Sequence, residues 1–318
     1  MRTLSSVVLA TVVVLSVGAA RCAIPWQSNP VESNQWSAGT AGHVVRVGDH
    51  LRDFRLHIPK ARARNRIGLA QAYGLVIVLH GSGADGETVR HQSGMDSVAE
   101  ANGWVVAYPD GVKGTLGFGS DWNVGTCCGV AARDSIDDVR FAVAIIDYVV
   151  AKLPVSRGRV YVAGFSDGAR MAYHIACQAA LRVAAVAVVS GSVRDPNCVP
   201  ARAVPLIAFH GTADDEVPYG EPPDTHPRQP PIQVATGLPP SVQMWASSNG
   251  CRGLTHALQA KHVTRFSFTQ CKADVVMYSV AGGGHGWPGE PDGVGSTAPM
   301  SEIHATPLIA RFFNTHAR

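Results

Sequence analysis

Short apolar runs, each followed by turn-forming residues, recur along most of the chain. Leu75–Leu79 ends at a His-Gly pair, and Trp104–Tyr108 ends at Pro109-Asp110-Gly111. Uninterrupted apolar runs of this length are typical of strands that are buried on both faces of a sheet. Further runs that predict strands are Val160–Ala163, Val183–Val189, Leu206–Phe209 and Val275–Val280.

Segments with helical periodicity lie between these runs. From Ser135 to Leu153 apolar residues recur every three or four positions, and Ser135 and Asp138 have the spacing of a capping box. We therefore expect a helix over this range. Shorter helices are predicted at Ala169–Ala180, at Ser241–Asn249, and after an N-cap at Thr306 with Pro307 in the first helical position.

Strands that alternate with helices predict an α/β fold, in which a mostly parallel sheet is covered by helices on both faces. At the start, His43–Val47 and Phe54–Ile58 predict an antiparallel hairpin. The proline-rich stretch from Glu221 to Pro240 predicts a long loop. No internal repeat or second domain is evident, so residues 43–318 are expected to form one domain.

Residues 1–20 have the features of a secretory signal peptide. Arg2 precedes an apolar run over Val7–Val17, and Gly18-Ala19-Ala20 follows it. The run is shorter than the ~20 apolar residues that span a bilayer, so no transmembrane segment is predicted. We expect a secreted protein with an N-terminal extension over residues 21–42. Cys22 offers an alternative, a lipid anchor at the cell surface, although Arg21 stands where lipoprotein signals carry a small residue.

Composition narrows the range of partners and compartments. The 318 residues carry a net charge of +3 without a Lys/Arg run, so no nucleic-acid partner is predicted. Seven cysteines fit an oxidising compartment, and their spacing does not match a zinc site. Cys251 and Cys271 bracket a polar segment before the last strand, and we predict that they are bonded. A further bridge is predicted from Cys127 or Cys128 to Cys177 or Cys198.

The stretch Gly164-Phe165-Ser166-Asp167-Gly168 lies between a predicted strand and a predicted helix. A serine on such a sharp turn stands above the sheet edge, and flanking glycines let neighbouring backbone come close. The helix N-terminus behind it favours negative charge. This is the pattern of a nucleophile elbow.

A serine nucleophile needs a base, and the base needs an orienting acid. Asp214 and Asp215 follow the strand Leu206–Phe209, and His285 follows Val275–Val280 in a glycine-rich loop. The carboxyl ends of parallel strands are where such sheets build their sites. Ser166, one of the two aspartates and His285 therefore form a candidate triad.

Acyl transfer also needs donors for an oxyanion. The predicted donors are the backbone N–H of Asp167, after the nucleophile, and that of Ser82, in the loop that follows Leu75–Leu79. Trp122 and Trp287 lie in loops near the expected site and are candidate substrate-binding residues. Core packing or loop anchoring is the alternative role for both.

Seven motifs occur in order: LHGSGADG, DWNVGTCCG, DSIDDVRF, GFSDGARMAY, HGTADDEVPY, WASSNGC and GGGHGWPG. Together they resemble secreted esterases grouped with polyhydroxybutyrate depolymerases and family-1 feruloyl and acetylxylan esterases, including mycobacterial lipoprotein esterases of the LpqC type. The resemblance implies an α/β-hydrolase fold and maps the triad to Ser166, Asp214 and His285. Two positions depart from the family pattern: Ala169 replaces a glycine and Ser82 replaces a cysteine.

The sequence thus predicts a secreted serine esterase that forms an acyl-enzyme on Ser166. Its substrate would be a small-molecule or oligomeric carboxylic ester, and the chemistry implies no metal and no organic cofactor. Two alternatives are a serine peptidase on the same fold and a non-catalytic surface-binding protein that keeps the hydrolase fold.

Overall fold

The computed structural model describes residues 36–60, 72–114, 119–125, 129–195, 197–222, 237–290 and 298–318. The predicted signal peptide, Cys22, Cys127 and Cys128 lie outside these residues, as does most of the predicted proline-rich loop. The described residues belong to one unit, Gln35–Arg318. Its first strand begins before residue 43, the predicted start of the domain.

The strands of the main sheet lie in the order β1-β2-β4-β3-β7-β8-β9-β12-β11-β10, and β5 pairs with β6 in a small separate ribbon. The strands from β4 to β12 in this order are parallel, and the pairs outside them are antiparallel. The described strands are β1 (Gly39–Val47), β2 (His50–Ile58), β3 (Tyr73–Leu79), β4 (Trp104–Pro109), β5 (Val112–Lys113), β6 (Ser120–Asp121), β7 (Val155–Phe165), β8 (Ala185–Val189), β9 (Leu206–Gly211), β10 (Gly253–Ala260), β11 (Val263–Thr269) and β12 (Val275–Val280).

Helices cover both faces of this sheet, as predicted. α4, α5 and α6 pack on one face, and α1, α2 and α7 pack on the other. Among the described residues, no helix combines the length and apolar content needed to cross a bilayer. The described helices are α1 (Gly86–Ser93), α2 (Met95–Asn102), α3 (Gly129–Arg133), α4 (Asp138–Lys152), α5 (Asp167–Gln178), α6 (Pro240–Ser248) and α7 (Ala305–Thr315).

The apolar run of β3 shows why the central strands could be recognised in the sequence. Leu75 and Ile77 pack with the core under α4 and α5, whereas Val76 and Val78 pack with the core under α1 and α7. All four side chains are fully buried. Because alternate residues of a strand point to opposite faces, a strand with helices on both sides must be apolar throughout.

The predicted N-caps of α4 and α7 are each wrong by two residues. The N-cap of α4 is Asp137, whose carboxylate accepts the N–H of Arg140, because Ser135 has a left-handed φ of 51° and lies in the preceding turn. The last helix already begins at Ala305, with His304 as N-cap. The Thr306 hydroxyl donates to the Ser93 carbonyl on the neighbouring helix instead of capping its own.

The segment between Cys251 and Cys271 is a hairpin of β10 and β11, which the sequence did not predict as strands. Most β10 side chains are exposed, so the segment lacks the apolar pattern of the central strands. Cys251 and Cys271 form the predicted disulfide, with a Cα–Cα distance of 4.0 Å. The bond joins the two ends of the hairpin.

The second predicted bridge is wrong for Cys177 and Cys198. These two cysteines are bonded to each other, with a Cα–Cα distance of 5.1 Å, and not to Cys127 or Cys128. Cys177 lies at the end of α5, and Cys198 lies in the loop after β8, which packs against that helix end. The bond therefore fastens the C-terminal end of α5 to the loop beside it.

Candidate active site

Ser166 lies on the sharp turn between β7 and α5, with φ 56° and ψ −119°. This conformation is strained for a residue with a side chain, and such strain concentrates at functional positions. The flanking glycines are required because a Cβ on Gly164 would lie 2.0 Å from the Gly168 carbonyl oxygen. A Cβ on Gly168 would lie 2.2 Å from the Leu79 carbonyl oxygen. The predicted elbow is therefore present in the backbone.

The sheet brings His285 and Asp214 together, although they are far apart in sequence. Asp214 follows β9 and His285 follows β12, and these neighbouring parallel strands pair Gly211 with Val280 at their carboxyl ends. Both carboxylate oxygens of Asp214 lie 3.0 Å from Nδ1 of His285. Such a contact directs Nε2 of the imidazole away from the acid, toward the cavity side.

Hydrogen bonds keep Asp214 ionised in spite of its burial. Burial alone would raise the pKa of Asp214, but donors from His210, His285 and the Val217 N–H outweigh it and hold the pKa well below its usual range. The Val217 N–H lies 2.8 Å from Oδ1, and Nε2 of His210 lies 3.2 Å from Oδ2. Asp215, the other candidate acid, is exposed to solvent.

The loop after β3 lies directly against the serine. A Cβ on Gly81 would lie 3.2 Å from Cβ of Ser166, closer than most such contacts, so the loop packs tightly against the serine. Ser82 and Ser166 line the same cavity. Asp167 is the first residue of α5, so its backbone N–H lies at the helix N-terminus beside the serine. The two predicted oxyanion donors thus belong to segments that flank Ser166.

A cavity of about 490 Å³ opens over these groups. Ser166 and His285 both line it, and the Phe165 ring packs on the His285 imidazole with centroids 4.8 Å apart. Its wall also carries polar side chains that were not predicted from the sequence. They are Thr88, His91, Gln92, Glu216 and Glu290.

Neither predicted substrate-binding tryptophan lines this cavity. Trp122 is buried, and its indole N–H donates to the His80 carbonyl at 2.9 Å. Trp287 is buried as well, and its indole N–H donates to the Thr306 hydroxyl at 3.0 Å. Trp122 and Trp287 therefore have the alternative role of loop anchoring, since both side chains hold loops from within the core.

Two polar residues near the histidine were missed. His210 supports Asp214, and its Nε2 also donates to the Val217 carbonyl at 2.8 Å. The Glu216 carboxylate lies 3.7 Å from Nε2 of His285 and is more than half exposed. The only sequence signal for either was proximity to Asp214, which does not separate a partner from an ordinary turn residue.

A second hollow lies beside the first two strands of the sheet. This hollow, of about 590 Å³, contains Arg55, whose guanidinium pairs with both Glu87 and Asp110. Within the described ranges, no three His, Cys, Asp or Glu side chains are grouped as metal ligands would be.

Several known proteins with similar sequences are named as esterases. The family model described as phospholipase/carboxylesterase matches residues 68–228. A protein named as the esterase NocK, from Nocardia uniformis subsp. tsuyamanensis, is 30% identical over 79% of this chain and 75% of its own length. The chain belongs to the phospholipase/carboxylesterase family. It is a serine carboxylic-ester hydrolase of the α/β-hydrolase fold.

Two further relatives extend this comparison. Feruloyl esterase B from Piromyces equi is 33% identical over 63% of this chain, which spans only 37% of the length of that enzyme. The solved structure of an acetyl xylan esterase from Aspergillus awamori superposes with a TM-score of 0.59, over 86% of this chain and 99% of the other. At 15% identity this structural likeness shows the shared fold.

Proposed function

We propose that Ser166, His285 and Asp214 are the catalytic triad of this carboxylesterase. The observation that carries the proposal is that Ser166 and His285 line one cavity while both Asp214 carboxylate oxygens approach Nδ1 of His285 at 3.0 Å. The buried, ionised aspartate would hold the imidazole in the tautomer whose Nε2 can accept a proton.

The reaction then proceeds in two half-reactions. Ser166 Oγ attacks the ester carbonyl while His285 Nε2 takes the hydroxyl proton, and His285 returns that proton to the leaving alcohol. Water, activated by the same imidazole, hydrolyses the acyl-enzyme. The backbone N–H groups of Ser82 and Asp167 would stabilise the oxyanion in both steps.

The cavity supports a preference for neutral esters, either small molecules or oligomers. Its wall carries the carboxyl side chains of Glu216 and Glu290 and the neutral polar side chains of Thr88 and Gln92. A negatively charged group on the substrate would approach Glu216 when the ester lies between Ser166 and His285. Electrostatic repulsion would then weaken the binding of acidic esters.

The compartment is also proposed to be extracytoplasmic. The two described disulfides, Cys177–Cys198 and Cys251–Cys271, support an oxidising compartment. Cleavage after residue 20 would give a mature N-terminus at Arg21, and a diacylglyceryl group on Cys22 would instead indicate a lipoprotein. Mass spectrometry of protein from the native host tests this, and intact Met1 on cytosolic protein would contradict both forms.

Labelling with a fluorophosphonate probe tests the triad. We expect one covalent adduct, on Ser166, together with hydrolysis of neutral esters. Absence of an adduct on folded protein would favour the non-catalytic binding protein. An adduct accompanied by amide but no ester hydrolysis would favour the peptidase.

A further inference from the structure

The segment Ser120–Asn123 holds the loop that carries the proposed oxyanion donor. The Ser120 carbonyl accepts the N–H of Gly83 at 2.9 Å, and Asp121 Oδ1 accepts the Ser82 hydroxyl at 2.5 Å. The Trp122 indole N–H donates to the His80 carbonyl at 2.9 Å, and the indole packs on the His80 ring with centroids 4.7 Å apart. Successive residues of the segment therefore contact successive parts of the loop.

His80 fixes the Gly81–Ser82 peptide, which carries the proposed oxyanion donor of the loop. Its Nδ1–H donates to the Gly81 carbonyl at 2.8 Å, while its Nε2 accepts the Gly111 N–H at 2.9 Å. This pattern requires a neutral imidazole, and burial lowers the pKa of His80 accordingly. The Gly81 carbonyl and the Ser82 N–H belong to the same planar peptide group. Holding one therefore sets the direction of the other.

The same segment also contacts the nucleophile side of the site. The Trp122 backbone N–H donates to Asp167 Oδ2 at 3.2 Å, and Asp167 carries the second proposed donor on its own backbone. The Asn123 N–H donates to Asp138 Oδ2 at 2.8 Å, and Asp138 is paired with Arg52 inside the protein. The segment thus joins the oxyanion loop to the first residue of α5.

Asp167 is a costly residue for a purely structural contact. Its side chain is 1% exposed, and Oδ1 has no hydrogen-bond partner among the described residues. Burying a carboxylate with so few partners is unfavourable unless another effect compensates. The hydrogen bond that its carboxylate does make is with the Trp122 backbone N–H, and Trp122 in turn contacts His80.

We propose that Asp167 and Trp122 are positioning residues that set the two oxyanion donors relative to each other. Asp167 anchors the Trp122 backbone, Trp122 holds His80, and His80 orients the Gly81–Ser82 peptide. The proposal rests on the proposed oxyanion site, and it adds the side chains that keep the two donor N–H groups in position. It predicts that these residues affect the chemical step more than substrate binding.

Four single variants test the proposal through kcat, KM and the melting temperature on one neutral ester. Asp167→Ala should lower kcat about tenfold or more with KM changed less than about threefold, because a donor is misplaced in the transition state. Asp167→Asn should recover most of kcat, since its amide oxygen still accepts the Trp122 N–H. Trp122→Phe should lower kcat, because it loses the bond to the His80 carbonyl. The matched control is Trp245→Phe.

Trp245 is a suitable control because it is also fully buried and its indole N–H also donates to a backbone carbonyl, that of Val204, at 2.8 Å. Trp245→Phe should lower the melting temperature and leave kcat unchanged. Asp167→Ala combined with Trp122→Phe should be no slower than the slower single variant, since both act on one chain of contacts.

An unchanged kcat in Trp122→Phe, with a melting temperature lowered as in Trp245→Phe, would overturn the proposal. So would an Asp167→Asn variant as slow as Asp167→Ala. Failure of the proposed triad would be visible separately, as full ester turnover by Ser166→Ala.

Discussion

At the scale of single residues, Asp214 orients His285, and several hydrogen bonds fix Asp214 in turn. Asp214 accepts hydrogen bonds from His285 and from the Glu216 and Val217 N–H groups, and His210 lies within 3.2 Å. The Asp214 carboxylate can therefore stay charged inside the protein, where it would stabilise the imidazolium formed during the reaction. Asp215 is adjacent in sequence but faces solvent.

Exchanging each carboxylate for an amide should separate the two aspartates. Asp214→Asn should lower kcat by about 10⁴, because the amide favours the wrong imidazole tautomer. Asp215→Asn should change kcat by less than about tenfold, or ~1.4 kcal/mol of barrier. Steady-state kinetics measures both, with a melting curve for each variant as the control. If Asp215→Asn were inactive and Asp214→Asn had normal kcat, the triad acid would be Asp215 and not Asp214.

Glu216 should affect the choice of substrate. Glu216→Gln should raise kcat/KM for a monoanionic dicarboxylic monoester, relative to its neutral diester, by roughly three- to tenfold, since one repulsive charge is removed. The gain should fade at about 0.5 M salt, where exposed charges are screened. Asp215→Asn, which removes a neighbouring charge outside the cavity, is the control. An unchanged ratio would show that Glu216 does not sense the substrate.

Asp167 should make stability depend on pH. Burial raises the pKa of Asp167 to about 6, against the opposing effects of the Trp122 N–H and Arg170. The folded state therefore binds this proton more tightly than the unfolded state, and the ionised carboxylate costs stability above pH ~6 but not below pH ~4. Asp167→Asn should raise the free energy of unfolding by up to about 3 kcal/mol at pH 8.

This gain should fall below about 1 kcal/mol at pH 4, where Asp167 is protonated in the folded state and increasingly protonated in the unfolded state. Urea unfolding at both pH values measures the difference. A gain of equal size at pH 4 and pH 8 would show that the carboxylate is not titrating in this range.

At the scale of elements, the strands and turns that could be predicted are those whose burial restricts the residue types in the sequence. The central strands are apolar on both faces, and Gly164 and Gly168 mark the elbow because a side chain does not fit at either position. The β10–β11 hairpin was missed because most of β10 is exposed and β11 is mostly half-buried, so neither strand has the uninterrupted apolar run of the central strands. The roles of Trp122 and Trp287 could not be read from sequence, since a tryptophan in a loop can face a cavity or the core.

The hairpin should depend on its disulfide for stability and not for catalysis. Replacing both Cys251 and Cys271 by Ala should lower the free energy of unfolding by about 3 kcal/mol, the value expected for closing a loop of this length. Because the hairpin lies at the edge of the sheet, kcat on a neutral ester should stay within about threefold. Urea unfolding and steady-state kinetics measure the two effects. A large loss of kcat in folded protein would show that the hairpin reaches the site.

At the scale of the whole molecule, the strand order assembles the site. β7, β9 and β12 lie within four consecutive positions of the sheet and are parallel, so their carboxyl ends share one edge. Ser166, Asp214 and His285 each follow one of these strands. Their order in the sequence and their positions after strands were enough to propose Ser166, His285 and one of two adjacent aspartates, and the family resemblance then chose Asp214 over Asp215. The cavity wall was not predictable, because it is built from loops and α1, whose side chains carry no shared pattern.

Trapping the acyl-enzyme tests the central claim most directly. An acetate ester with a chromogenic leaving group would be mixed with the enzyme, quenched rapidly in acid, and the protein mapped by mass spectrometry. The account predicts one acetyl group on Ser166, formed in an initial burst and absent from Ser166→Ala. An acetyl group on another residue, or full ester turnover by Ser166→Ala, would contradict it.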